Sequence, residues 1–232
     1  MLSHDTPLIR PLKHAYWTMR ARTFIAASKV GERLGVEWLT YNAVVFEHFA
    51  SAAALAAPGF ASAVRATFPD VRTAADVGCG TGHFVDALRK AGIAAAGYEY
   101  SQHGRRIARE RLGVDIHPLD LTDPSLQVIF PADLALSIEV AEHVAPPLGE
   151  TLIDLLVHTA PIVVFTAATP GQGGNGHVNE QPPEYWHERF ARRGYAHDAD
   201  VSLQLKERCL TLVVGSPWIA KNLMVFRCPS GM

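Results

Sequence analysis

Glu139, Glu142 and His143 stand at i, i+3 and i+4 in the run Ser137-Ile138-Glu139-Val140-Ala141-Glu142-His143-Val144. One helical turn there would point all three side chains the same way. Two carboxylates and an imidazole form a donor set for a divalent cation. A second imidazole, His177, lies in the glycine-rich polar run of residues 169–180, TPGQGGNGHVNE. A run of that composition is a loop. If the loop swings inward, Glu139, Glu142, His143 and His177 become a four-residue candidate metal site. A cation held there would make a hydroxyl reactive, as it acidifies bound water. Without a cation, His143 or His177 is placed to act as general base, with Glu142 beside it. Two imidazoles favour Mn²⁺, Fe²⁺ or Co²⁺ over Mg²⁺ by ligand softness, although availability can return Mg²⁺ to the site.

A second run, Asp76-Val77-Gly78-Cys79-Gly80-Thr81-Gly82, joins an apolar strand pattern to a helical one. Glycines there let the backbone turn sharply and approach a ligand closely. A phosphate-binding P-loop would end in Gly-Lys-Ser/Thr, and no lysine is present. A dinucleotide fingerprint would need a third glycine where His83 stands. The next strand pattern ends in Gly97-Tyr98-Glu99, an acid that can accept hydrogen bonds from both hydroxyls of a ribose. Asp120-Leu121 follow the third strand pattern, placed to flank an adenine ring.

Together these features resemble the class I S-adenosylmethionine-dependent methyltransferases over residues 73–227. The resemblance implies a Rossmann-like, seven-stranded, mostly parallel sheet with one antiparallel strand. It implies cofactor contacts at Asp76, Gly78, Cys79, Gly80, Glu99, Tyr100, Asp120, Leu121 and Ser137. The Glu-x-x-Glu-His turn with a later histidine is similar to metal-dependent O-methyltransferases of ubiquinone biosynthesis and of small-RNA 2′-O-methylation. There the metal holds two neighbouring substrate oxygens. The same turn also looks like its counterpart in metal-free small-molecule methyltransferases, so an N- or O-methyltransferase with a histidine base stays open. A non-catalytic cofactor-binding module is the alternative from another class. The expectation is an O-methyltransferase using S-adenosyl-L-methionine and Mg²⁺ or Mn²⁺. Its acceptor would be a small sugar-, nucleoside- or diol-like molecule, and Asn179 and Glu180 in the polar loop suit hydroxyl-rich substrates.

The elements that must position these groups follow from periodicity. From about residue 73, short apolar runs (74–77, 94–98, 114–117, 132–137, 162–166) alternate with helical stretches (84–91, 102–112, 148–158). Strands separated by helices mean βαβ crossovers and a parallel sheet covered on both faces. Residues 183–193 and 203–213 read as late helices, and 223–227 as a final strand in an antiparallel edge hairpin. Tyr185, Trp186 and Phe190 fall at helical spacing and read as core. Residues 1–70 read as an N-terminal helical extension, which the resemblance implies is a lid over the cofactor, preceding a methyltransferase domain over 71–232. His14, Tyr16, Trp17, Arg20, Trp38, Tyr41 and Asn42 crowd it. An apolar stripe through Tyr41, Val44, Val45, Phe46, Phe49, Ala52 and Ala53 marks one helix, which Pro58-Gly59 should end.

Composition excludes other classes. Among 232 residues, Lys and Arg number 21 and Asp and Glu 23, a formal net charge of −2. No basic surface draws nucleic acid or an anionic membrane, and the Arg105, Arg106, Arg109, Arg111 cluster reads as a solvated helix face. Three scattered cysteines give no disulfide framework and fit a reducing, cytoplasmic setting. No apolar run was expected to reach the roughly 18–20 residues of a spanning helix, and residues 1–22 lack a secretory signal.

Overall fold

The fold follows from the alternation of short, fully apolar runs with amphipathic helices. The computed structural model describes residues 42–123, 126 and 131–228. His14, Tyr16, Trp17, Arg20, Trp38 and Tyr41, and with them most of the expected N-terminal lid, lie outside the described residues. In chain order the elements are α1 (Ala43–Thr67), β1 (Thr73–Val77), α2 (His83–Lys90), β2 (Ala94–Glu99), α3 (Gln102–Ile107) and β3 (His117–Pro118). There follow β4 (Leu134–Ile138), α4 (Pro146–Thr159), β5 (Ile162–Thr166), α5 (Pro183–Ala191), β6 (Ala196–His197), α6 (Ala199–Leu212), α7 (Pro217–Asn222) and β7 (Met224–Arg227). The seven strands form one sheet in the order β3-β2-β1-β4-β5-β7-β6. β1 pairs in parallel with β2 and β4, whereas β7 runs antiparallel to both β5 and β6. The expected sheet, with its single reversed strand, is therefore present. The order in which successive strands are added to the sheet reverses between β1 and β4, and ligands of open α/β sheets bind at the carboxyl ends beside such a switch.

Each face of the sheet carries its own core. Phe60, Val64, Leu88, Ile93 and Leu136 belong to the core under α1, α2 and α6. Leu152, Leu156, Phe165, Trp186, Phe190 and Phe226 fill the other face, under α4 and α5. Phe190 stacks on Phe226 with ring centroids 3.9 Å apart. Burying an aromatic of this size contributes about 1.5–3 kcal/mol. The core reading of Trp186 and Phe190 holds. Tyr185 is half-buried, with the Arg189 guanidinium 3.1 Å from its ring centroid.

Several boundaries differ from the sequence pattern. Pro58 does not end the first helix; α1 runs through it for 25 residues. The reason is tertiary. Gly59 lies so close to α6 that a Cβ there would sit 2.0 Å from the Leu212 carbonyl oxygen, so packing holds the helix together where propensity would break it. The continuous helix has an 18-residue window of mean hydropathy 1.3, long and apolar enough to cross a membrane by length and composition. In this structure it packs on α2 and α6. The helix over 102–112 divides into α3 and a π-helical turn, Ala108–Leu112. β3 has two residues, because the stretch before it packs Val114 and Ile116 into the core without pairing to β2. The short β6 and α7 had no periodic signal. Arg105 departs from the solvated-face reading, since it donates to the backbone carbonyls of Glu99 and Tyr100 and braces the end of β2.

Candidate active site

β1 delivers Asp76 to the carboxyl edge, and the chain then turns through three glycines in left-handed backbone: Gly78 (φ 78°), Gly80 (φ 55°) and Gly82 (φ 74°). That region favours glycine because other residues place Cβ too near a carbonyl. Gly78 is also fixed by contact, as a Cβ there would come 2.6 Å from Val140 Cγ2. Gly80 has nothing within 4 Å of its missing Cβ, so its backbone borders open space. The Gly78 and Cys79 N–H groups donate to the Tyr98 carbonyl at 2.8 and 3.1 Å, tying the turn to β2. Glu99 completes the tie. One carboxylate oxygen accepts from the Gly80 N–H at 2.9 Å and the other from the Ser101 N–H at 2.7 Å. Each oxygen keeps a lone pair for a ligand.

The turn forms one wall of a cavity of about 1370 Å³. Asp76, Gly78, Cys79, Gly80, Glu99, Tyr100, Asp120 and Leu121 all line it. Ser137 does not; it is fully buried in β4. Asp120 is exposed and caps its own turn, accepting from the Thr122 N–H and hydroxyl. Burial, then the charge of Glu99, raises Asp76 to about 7. Burial raises Glu99 too, against backbone hydrogen bonds that lower it. The Cys79 thiol is buried and pushed well above its usual value by that burial, then by Asp76 and Glu99, so it is no nucleophile.

Across the cavity, β4 ends at Glu139, the one non-glycine with positive φ (55°) among the described residues. The Glu139 N–H donates to the Thr166 hydroxyl and carbonyl, which pins the bend to β5. A 3₁₀ turn, Ala141–His143, follows in place of an α-helical one. Glu139 therefore falls outside the cluster of ligand atoms that Glu142, His143 and His177 form, although its carboxylate stays beside that of Glu142 and lines the same cavity. Its carboxylate is held by Asn222 Nδ2 at 3.1 and 3.3 Å and by Gln172 Nε2 at 3.4 Å. Glu142, His143 and His177 do converge, each offering a ligand atom within 4.8 Å of the others.

The loop over residues 169–180 brings His177 in by backbone and by side chain. The Val178 and Asn179 N–H groups donate to the Glu142 carbonyl at 2.8 and 3.0 Å. His177 Nδ1 lies 2.7 Å from Glu180 Oε1, and Glu180 also accepts from the Gly171 and Gly173 N–H groups. A carboxylate partner makes Nδ1 the protonated nitrogen and leaves Nε2 with the lone pair. Gly174 makes room for the ring, since a Cβ there would fall 2.1 Å from His177 Nε2. The His143 ring meets it edge-to-face at 4.8 Å. Asn179 and Glu180 thus build the loop instead of facing an acceptor. Neither lines the cavity, and Asn179 is buried with Nδ2 donating to the Ala141 carbonyl. The roles of Glu180, Gln172 and Asn222 were not foreseen. His-x-x-Glu spacing hinted at Glu180; nothing local could connect Asn222 to Glu139.

The three converging groups fit a divalent cation. Glu142 is fully buried, and neither carboxyl oxygen has a hydrogen-bond partner of good geometry. Burial, then the charge of Glu139, pushes this carboxyl up to about 9. Burial, then His177, lowers His143 to about 4, so its imidazole is neutral, the form that ligates metals. An orphaned carboxyl beside two neutral-capable imidazoles is a donor set a cation would satisfy. The remaining wall comes from α1 through Phe46, Phe49, Ala52 and Ala53, and from α7 through Trp218 and Ile219.

The profile of a methyltransferase domain family matches residues 46–200. No curated protein matches the sequence. Three solved structures share the fold at 18% identity. A sugar N-methyltransferase from Streptoalloteichus superposes with a TM-score of 0.55, covering 75% of this chain and 87% of its own. A TehB-like S-adenosylmethionine-dependent methyltransferase from Corynebacterium glutamicum gives 0.54, with 73% and 87%. An amino pentose methyltransferase from Micromonospora echinaspora, involved in calicheamicin biosynthesis, gives 0.52, with 72% and 88%.

Proposed function

The chain belongs to the class I S-adenosylmethionine-dependent methyltransferases, and on that premise we propose that it methylates a hydroxyl of a small sugar-, nucleoside- or diol-like molecule with the help of a divalent cation. The observation that carries this reading is the convergence of Glu142, His143 and His177, with the Glu142 carboxyl fully buried. The donor supplies an electrophilic methyl on a sulfonium. The glycine turn and Glu99 would bind its nucleoside end, with Asp76 and Cys79 beneath and Tyr100, Asp120 and Leu121 around it. Glu142, His143 and His177 would hold Mn²⁺ or Mg²⁺, a Lewis acid that would lower the pKa of an aliphatic hydroxyl and so make it a better nucleophile near neutral pH. Glu180 keeps His177 in one tautomer and orientation. Asn222 and Gln172 hold Glu139 at the rim of the same site. Methyl transfer requires oxygen, carbon and sulfur in line, so the protein's task is positioning donor and acceptor on facing walls of one cavity.

A second reading rests on the His177–Glu180 pair. An imidazole oriented by a carboxylate is the arrangement of a general base, and it would serve a metal-free O- or N-methyltransferase. Turnover of a panel of sugars, nucleosides and small diols, assayed before and after thorough chelation, separates the two. Loss on chelation with recovery on adding Mn²⁺ is expected; undiminished turnover would transfer the chemistry to the histidine base.

A further inference from the structure

A smaller cavity of about 240 Å³ opens at the β6 edge of the sheet and shares no lining residue with the large one. It exists because β6 stops after two residues. α5 and α6, on opposite faces, then overhang the start of β7 with no strand between them. Trp186, Leu223 and Met224 give it an apolar floor, and the exposed Leu203 borders its mouth. Lys206 from α6 and Lys221 from α7 also line it. Among the described residues no carboxylate does. Among the described residues neither lysine has a carboxylate within salt-bridge distance.

The cavity also holds polar atoms without partners. His187 and His197 stack at 4.2 Å; the Ser202 hydroxyl engages His197 Nε2, but His187 Nε2 is buried and unpartnered. Asn222 is 4% exposed, and its Oδ1 is likewise unpartnered. The nearest acids act on the histidines from outside the cavity: Glu184 on His187, and Asp198, itself paired with Arg227, on His197. Two lysines without a carboxylate partner and an apolar lining in one cavity match one kind of ligand.

We infer that this cavity binds a small molecule that joins a carboxylate to a compact apolar body. The lysines take the carboxylate, and the Trp186 floor takes the body. Inorganic phosphate supplies charge without apolar surface, and a neutral aromatic alcohol supplies the surface without charge. Asn222 lines the small cavity and is hydrogen-bonded to two residues, Glu139 and Gln172, that line the large one. Its Nδ2 donates to Glu139 and to Gln172 at 3.0 Å, so an occupant that touches Oδ1 stands one residue from the acceptor site.

Calorimetry on the full chain tests this with benzoate as probe and benzyl alcohol and inorganic phosphate as controls. Saturable benzoate binding is expected, with both controls at least about tenfold weaker. The Lys206→Met/Lys221→Met double variant should lose at least about tenfold in benzoate affinity while binding S-adenosylmethionine as before. Leu203→Trp, which narrows the mouth and leaves both lysines in place, should also weaken benzoate. Absent benzoate binding, equal affinity for either control, or undiminished affinity in the double variant would each overturn the inference. None of these readouts depends on turnover or on a cation, so they stand apart from the fate of the proposed reaction.

Discussion

At the residue scale the proposed function divides the site into groups that would hold the donor and groups that would prepare the acceptor. Glu99 accepts from two backbone N–H groups and lines the cavity with lone pairs to spare. Glu99→Ala should weaken S-adenosylmethionine binding by roughly 1–3 kcal/mol through lost charge-assisted hydrogen bonds, read by calorimetry. His177→Ala and Glu142→Gln should each cost at least about 10²-fold in turnover and leave donor affinity near normal, because they touch the acceptor side alone. Glu180→Gln should cost less, about 10-fold to 100-fold, since it loosens the orientation of His177 without removing a ligand. Turnover near normal in both His177→Ala and Glu142→Gln would remove them from the chemistry. The sequence made Glu142, His143 and His177 legible because they sit on short, composition-marked segments. The i, i+3, i+4 argument does not describe Glu139, because a left-handed bend at that residue breaks the helical phase, yet Glu139 still lies beside Glu142 in the same cavity.

At the element scale, glycine positions separate packing from binding. Gly59 is helical and ordinary in φ, yet α6 leaves no room for a Cβ. Gly59→Ala should therefore destabilise the fold by about 1–3 kcal/mol in urea titrations, the usual cost of forcing atoms into a filled space. Gly80 has room but a positive φ, so Gly80→Ala should cost about 1–2 kcal/mol of stability and in addition weaken donor binding. A Gly59→Ala protein as stable as the parent would show that α6 can yield. The βαβ succession was readable because each strand and helix carries its own period. The continuity of α1 through Pro58 was not, since Gly59 is explained by a backbone carbonyl more than 150 residues later. The two-residue β3 and β6 were equally opaque, because strands that short show no alternation.

At the scale of the whole molecule, buried ionisable groups give stability a pH dependence. Asp76 and Glu142 keep their protons in the folded chain up to about 7 and about 9, whereas the unfolded chain releases them near 3.8 and 4.5. Folded-state stability from this source is full below those lower values and is lost as pH rises through the upper ones. His83, His143, His187 and His197 are lowered from 6.5, so they add stability as pH climbs towards 6.5 and nothing beyond it. Above pH 7 the last of the Asp76 contribution and then the Glu142 contribution are lost, so Tm of the free protein should fall from pH 7 to 9. Glu142→Gln should flatten that fall; a parent Tm that rises over the range would contradict the assignment. The sheet order, with its switch beside β1 and β4, explains why the glycine turn and the Glu142 cluster face one cavity although about 60 residues separate them. The most direct test of that juxtaposition is a crystal structure with the demethylated donor and Mn²⁺, using anomalous scattering to find the metal. The account predicts the nucleoside against Gly80 and Glu99, and one anomalous peak bounded by Glu142, His143 and His177. A bound nucleoside with no peak among those three residues would contradict it.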